Sequence, residues 1–319
     1  MTKFLQAAAN QTPRTYQPWH PLKPGAIVDV IAPAGGCSLE ILAKIKTFLI
    51  SWNLRPRLAT DLFGPDWLCA NDDDHRFKQL HAALVNQSSS VVWCLRGGYG
   101  STRLLPALMK VDIPAYTKLF IGFSDITALH IFLQQTWHWQ TLHGPSLTQI
   151  VQKKIDSASI EQCQQIIFGR LQKVTFELEP LNQTARASRS IVSSLIGGTL
   201  SLIQTSLATN WQILTNDKIL FLEEVNESAY RVDRMLNHLE QAGILSKVTA
   251  LLFGDFIITH SPQQQALTAS ILQRFAEQQS FPVLRCRGIG HGCTNYSLPL
   301  ASKTILNLTK ARLTIEINH

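Results

Sequence analysis

The sequence predicts an α/β protein whose first half is a doubly wound parallel sheet. Three observations carry that prediction. Apolar runs such as Ile27-Val28-Asp29-Val30-Ile31 and Val91-Val92-Trp93-Cys94-Leu95 are almost unbroken, as in strands covered on both faces. Helical patterns alternate with them at about residues 39–52, 71–85 and 127–135. Glycine or serine breaks fall where the runs end, and ligands of open α/β sheets collect beyond the C-terminal ends of the strands.

Residues 1–20 read as a loosely held arm. Lys23-Pro24-Gly25 turns the chain into a first strand at 26–32, and Ser38 is placed to cap the helix that follows. A second strand is expected at 55–59. Asp72, Asp73 and Asp74 then put negative charge where the dipole of the next helix favours it. The third strand, 90–95, runs into Arg96-Gly97-Gly98-Tyr99-Gly100-Ser101. Three glycines in four positions imply positive φ or a very close approach of backbone to a neighbour.

The segment Lys118 to His130 reads as a strand, a sharp turn carrying Ser124, and the first turns of a helix. That is the geometry of a nucleophile elbow. Gly122 gives the turn room, and Asp125 and Thr127 suit a helix start. Ile126 stands where the usual G-x-S-x-G pattern has its second glycine, and an ordinary strand-to-helix turn with a capping serine gives the same motif. Thr141-Leu142-His143-Gly144-Pro145-Ser146 closes this first domain at about residue 150. His143 can either face the site or serve as a hydrogen-bonded turn residue.

Residues 151–189 read as a crossing between domains, with a helix at 157–168, a strand at 174–178 and a loose segment at 182–184. The second domain occupies 190–319. In it Ile196-Gly197-Gly198-Thr199-Leu200 opens a helix through a glycine turn. A strand at 218–224 ends in Glu223 and Glu224, and a helix at 228–242 carries Arg231, Asp233 and Arg234, which suffice to pair among themselves. Further strands are expected at 251–256, 282–286, 304–307 and 311–317, with a helix at 263–279. His291 lies between Gly290 and Gly292, with no apolar face to belong to.

At 319 residues the chain has room for two domains, and 45% hydrophobic with 16% charged residues marks a folded rather than a disordered protein. The net charge of +7 admits anionic partners. However, the basic residues are scattered and no base-reading motif accompanies them, so no nucleic acid partner is expected. The six cysteines form no C-x-x-C pair, which argues against a zinc site and a disulfide framework; no cofactor or metal is expected. No run approaches the ~18 apolar residues of a membrane span, and the first residues lack the apolar core of a signal peptide. A cytoplasmic protein without a membrane partner is the expectation.

An elbow serine, a carboxylate at a strand end and a glycine-flanked histidine are the three parts of a serine-hydrolase triad. The chain order Ser124, Glu223, His291 is the order found in hydrolases with an elbow. Asp125 and Gly98 are candidates to supply oxyanion-hole N–H groups.

Several of these motifs occur together in one known family. Arg96-Gly97-Gly98-Tyr99-Gly100, the segment from Gly122 to His130, His143-Gly144-Pro145, Leu222-Glu223-Glu224 with Tyr230-Arg231-Val232-Asp233-Arg234, and Gly290-His291-Gly292 with Leu298-Pro299-Leu300 resemble the LD-carboxypeptidases. These are serine peptidases of peptidoglycan recycling, related to the microcin immunity peptidases. The resemblance spans roughly residues 22–316. It implies a flavodoxin-like N-terminal domain, a C-terminal domain built on a mixed β-barrel with helices, a homodimer, and a Ser-Glu-His triad falling on Ser124, Glu223 and His291.

The activity implied is metal-independent release of the terminal D-alanine from murein tetrapeptide. The alternatives are an immunity-type peptidase acting on aminoacyl-nucleotide peptide conjugates and a non-catalytic muropeptide-binding protein. Residues 151–190 contain no tryptophan or tyrosine, against the aromatic ligand contacts of the immunity type. Three departures from the family pattern are Glu224 for aspartate, Thr199 for asparagine and Ser146 for methionine.

Overall fold

The computed structural model describes residues 15–317. Its first half runs β1 (Ile27–Ile31), α1 (Leu39–Ser51), β2 (Arg55–Arg57), α2 (Asp73–Val85), β3 (Val91–Cys94), α3 (Leu105–Leu108), β4 (Leu119–Gly122), α4 (Thr127–Thr136) and β5 (Thr141–His143). These strands pair in the order β2-β1-β3-β4-β5, all parallel. That is the flavodoxin order, with its reversal between β1 and β3.

Fully apolar strands are needed because both faces are covered. Val28, Val30, Val91, Trp93, Leu119 and Ile121 pack with Ile45 and Leu49 of α1 on one face. The alternate residues Val92, Cys94 and Phe120 pack with Leu80 and Leu84 of α2 and Leu129 and Phe132 of α4 on the other. The period-two alternation thus sorts two cores rather than a core and a solvent face. Ser38 caps α1 by accepting from the Ile41 N–H, and Asp72 caps α2 by accepting from the His75 N–H, contacts typically worth about 1 kcal/mol each.

The chain then forms α5 (Leu147–Val151), α6 (Ser157–Ile167), β6 (Lys173–Glu177), β7 (Glu179–Pro180), β8 (Ser190–Thr199), α7 (Leu200–Thr205), β9 (Ile219–Val225), α8 (Ala229–Gln241), β10 (Ala250–Ile257), α9 (Pro262–Glu277), β11 (Val283–Arg285), β12 (Leu298–Leu300), β13 (Lys303–Asn307) and β14 (Arg312–Glu316). Eight strands make a mixed, nearly barrel-shaped second sheet in the order β6-β14-β13-β8-β9-β10-β11-β7. Strands β8 to β11 run parallel to one another, and the flanking pairings are antiparallel.

Several expectations require correction. Residues 1–14 of the expected arm lie outside the described residues. The rest of it is not loose, because Gln17 bridges to Trp139 and Trp19 is fully buried. Residues 196–199 are not a glycine turn but the end of the ten-residue strand β8, which leads directly into α7. Asn182 is buried and anchored: its amide donates to the Ala276 and Phe281 carbonyls, and its oxygen accepts from the Ala185 and Val283 N–H groups. On α8 the ions pair outward rather than with one another, Arg231 with Glu227 and Asp233 with Arg274, while Arg234 lies over the Tyr230 ring. Finally, β12 leaves the second sheet and joins the first, antiparallel to β5.

Candidate active site

Three loops meet at the C-terminal ends of β1, β3 and β4. The Gly35 N–H donates to the Gly97 carbonyl at 3.0 Å, tying the loop after β1 to the glycine loop after β3. Gly97 in turn lies against Ser124, so closely that a Cβ on residue 97 would fall 2.8 Å from the Ser124 Cβ. Only glycine lets this loop reach the serine.

Ser124 itself has φ +63°, a left-handed conformation that costs a non-glycine residue about 1–3 kcal/mol. The turn is held by buried neighbours. Asp125 accepts from the Ser101 N–H at 2.8 Å while its carbonyl accepts from the Ser101 hydroxyl, so its side chain braces the glycine loop instead of capping its own helix. Desolvation pushes the Asp125 carboxyl above its ordinary value against those hydrogen bonds. Thr127 does not cap α4 either; its hydroxyl accepts from the Thr199 N–H across the sheet boundary.

His291 arrives on a loop pinned at several points. Asp255 on β10 accepts from the Gly288 N–H, Asn295 accepts from the Gly290 N–H, and Asp156 accepts from the Thr294 hydroxyl. The imidazole lies against the Phe123 ring, centroids 4.8 Å apart. Its Nε2 is 2.9 Å from the Ser124 Oγ and its Nδ1 is 2.7 Å from the Glu223 Oε2. Since the carboxylate only accepts, the proton belongs on Nδ1, which leaves Nε2 free to accept from the serine hydroxyl.

The electrostatics agree with that assignment. Burial works against an imidazolium at His291, but the Glu223 carboxylate, with Glu224 behind it, leaves the histidine above its ordinary value. Burial likewise opposes the Glu223 anion, and the imidazole and hydrogen bonds outweigh it, holding Glu223 below the usual carboxylate value. Glu224 is buried beside it without an imidazole; desolvation and the Glu223 charge push it up to about 7, while the Ser201 and Val225 N–H groups donate to it.

His143, the other histidine singled out, is fully buried between Phe123 and Phe221, and neither ring nitrogen has a hydrogen-bond partner among the described residues. Burial pulls it down to about 4, which leaves it neutral. Among the described residues, no group of three or more His, Cys, Asp or Glu side chains is placed to hold a metal ion.

The geometry thus brings Ser124, His291 and Glu223 together from three segments far apart in the chain, with Asp125 directly after the serine and Gly98 next to the Gly97 that lies against it. What the residue pattern did not show is the role of Thr199, whose hydroxyl donates to the remaining oxygen of Glu223. The sequence marks Thr199 only as a departure from the family's asparagine, and its partner lies 24 residues away.

Comparison with known proteins identifies the family and the fold. The LD-carboxypeptidase N-terminal domain matches residues 28–144 and the LD-carboxypeptidase C-terminal domain matches residues 192–306. A provisionally named carboxypeptidase of Rickettsia conorii is 39% identical over 280 residues, 87% of this chain and 86% of that protein. The chain belongs to the LD-carboxypeptidase family. A Bacillus subtilis relative, provisionally named a murein peptide carboxypeptidase, is 30% identical across 92% of this LD-carboxypeptidase family chain and 93% of its own length. The crystal structure of muramoyltetrapeptide carboxypeptidase from Oxalobacter formigenes superposes with a TM-score of 0.79 at 24% identity, covering 92% of this chain and 99% of that one, and shares its fold.

Proposed function

We propose that this protein is a serine-type LD-carboxypeptidase that releases the terminal D-alanine from murein tetrapeptide. The observation that carries the reading is the single imidazole spanning 2.9 Å to a strained serine and 2.7 Å to a buried carboxylate. In this scheme the Ser124 Oγ attacks the carbonyl of the penultimate, diamino-acid residue while its proton passes to His291 Nε2. The imidazolium formed is stabilised by Glu223. His291 then gives that proton to the nitrogen of the departing D-alanine, the C–N bond breaks, and an acyl-Ser124 ester remains. A water deprotonated by His291 hydrolyses the ester and restores the serine.

The N–H groups of Asp125 and Gly98 are the candidates for holding the oxyanion. Asp125 directly follows the nucleophile, and Gly98, at φ +114°, belongs to the loop packed on it. Such a donor is typically worth about 3 kcal/mol in the transition state.

A peptide ending in D-alanine also carries a carboxylate. Arg96 is the candidate to meet it. It is exposed at the start of the glycine loop, its guanidinium donates to the Gly36 carbonyl at 3.4 Å, and among the described residues it has no carboxylate partner. Arg76 and Arg103, by the same loop, are both paired with Asp73.

As the family resemblance implies, we take the working form to be a cytoplasmic homodimer. Incubation with murein tetrapeptide, with mass measurement of the products, tests the reading. Loss of one alanine mass with free D-alanine in solution is expected. Unchanged tetrapeptide bound to the protein would favour a binding protein instead, and cleavage only of aminoacyl-nucleotide conjugates would favour the immunity type.

A further inference from the structure

The two halves of the site are joined by more than the imidazole. Thr199 is the last residue of β8 and pairs in register with Glu223 of the parallel strand β9. Its hydroxyl donates to Glu223 Oε1 at 2.5 Å, while Oε2 faces His291. Its N–H donates to the hydroxyl of Thr127 at 3.1 Å, and Thr127 is the first residue of α4, one turn beyond Ser124. All three partners, Thr127, Thr199 and Glu223, are buried. Gly198 permits the approach, since a Cβ there would fall 2.5 Å from the Thr127 hydroxyl oxygen. The contacts close a ring: Ser124, α4, Thr127, Thr199, Glu223, His291 and back to Ser124.

We infer that Thr199 is a positioning residue for Glu223, and that Thr127 fixes Thr199 relative to the elbow so that both halves of the triad share one register. The physical need is specific. A buried carboxylate has two oxygens to satisfy, and one donor from the imidazole leaves the other oxygen unpaired and the group free to rotate about its last torsion. A β-branched threonine has few χ1 choices, so its hydroxyl supplies a donor from a fixed direction. The family pattern has asparagine here, and the threonine meets the carboxylate with a single donor and no competing amide oxygen. The inference rests on the triad reading above, but not on the identity of the substrate.

The test uses Thr199→Val, Thr199→Ser and Thr127→Val in the full-length protein, with two readouts. One is D-alanine release from murein tetrapeptide. The other is the rate at which a fluorophosphonate labels Ser124, which reports nucleophile activation whatever the natural substrate is. Thr199→Val is expected to lower kcat and the labelling rate about 10- to 100-fold with KM within about twofold, as for loss of a group acting only in the transition state. Thr199→Ser should restore both to within about threefold, and Thr127→Val should show a smaller fall than Thr199→Val.

Wild-type rates in Thr199→Val, or a serine variant as slow as the valine variant, would overturn the inference. If Thr199→Val does not fold, Thr199→Ala takes its place with the same expectations. Labelling of the wild type without D-alanine release would sink the substrate assignment alone, leaving the labelling rates to decide the role of Thr199.

Discussion

Two clusters of buried charge, one toward the N-terminal ends of the first sheet's strands and one where its C-terminal ends meet the second sheet, differ in one respect. Toward the N-terminal ends of the strands, Asp29 accepts from the Arg57 guanidinium and the Ser89 hydroxyl. Lys118 donates to the Ala83 and Asn86 carbonyls and the Ser89 hydroxyl, with its nitrogen 3.8 Å from Asp29. Every member is spoken for. Where the two sheets meet, Glu223 of β9 and Thr199 of β8 are equally buried, but the chain of contacts ends on Ser124, which is partly open to solvent, and on a histidine 14% exposed. A closed network holds strands in place. An interrupted one, with its last hydroxyl facing outward, is available for chemistry.

Substitutions should separate the two ends cleanly. The largest effect belongs to Ser124→Ala, expected to lower D-alanine release by a factor on the order of 10⁶ while the protein stays folded. Because the strain at φ +63° is independent of the hydroxyl, Ser124→Gly should be equally inactive yet unfold at higher denaturant than Ser124→Ala, by about 1 kcal/mol. Next is Glu223→Gln, expected to reduce kcat by roughly 10³–10⁴.

The pH dependence gives that variant a second signature. The base must be neutral, and the Glu223 and Glu224 charges raise His291 above 6.5 against its burial. The acid limb of the wild-type kcat/KM profile should therefore lie above the ordinary imidazole value. It should move to lower pH when the neighbouring anion is neutralised, and an unmoved limb would count against His291 as the titrating base.

At the other end, Lys118→Met should leave kcat within about twofold but cost roughly 3 kcal/mol in equilibrium unfolding, since Asp29, Ser89 and two carbonyls lose a shared partner. A loss of activity without a loss of stability would break the contrast drawn between the two ends. The smallest expected change is Arg96→Ala, a rise in KM of about 10- to 100-fold from removing one charge-assisted contact, with kcat less affected. A tetrapeptide amidated at its terminus should be indifferent to that substitution.

Much of the first sheet could be read from the chain because strands buried on both faces leave unbroken apolar runs, as Val91 to Leu95 does. His291 stood out because glycines on both sides of a polar residue have no packing explanation, and Ser124 because a strand, a sharp turn and a helix start meet at it. The second sheet was harder. Gly197 and Gly198 weaken a strand pattern and imitate a turn, yet here they end β8, because Phe221 of β9 lies so close that residue 197 has no room for a Cβ. Leu298-Pro299-Leu300 is too short to register as a strand and its proline argues against one, although an edge position tolerates it. Asn182 read as loose because, apart from Ala185, its side-chain partners lie about a hundred residues on. Contacts of that range leave no periodic trace.

The excursion of β12 has a mechanical consequence. The stretch that follows the histidine loop is laced by main-chain hydrogen bonds onto β5, the strand next to the one that delivers Ser124. The separation of nucleophile and base is therefore gauged by a ladder rather than by a tether, and the lobes cannot swing apart like jaws without first unzipping it. A peptide therefore has to approach a centre whose two halves are held at a fixed spacing.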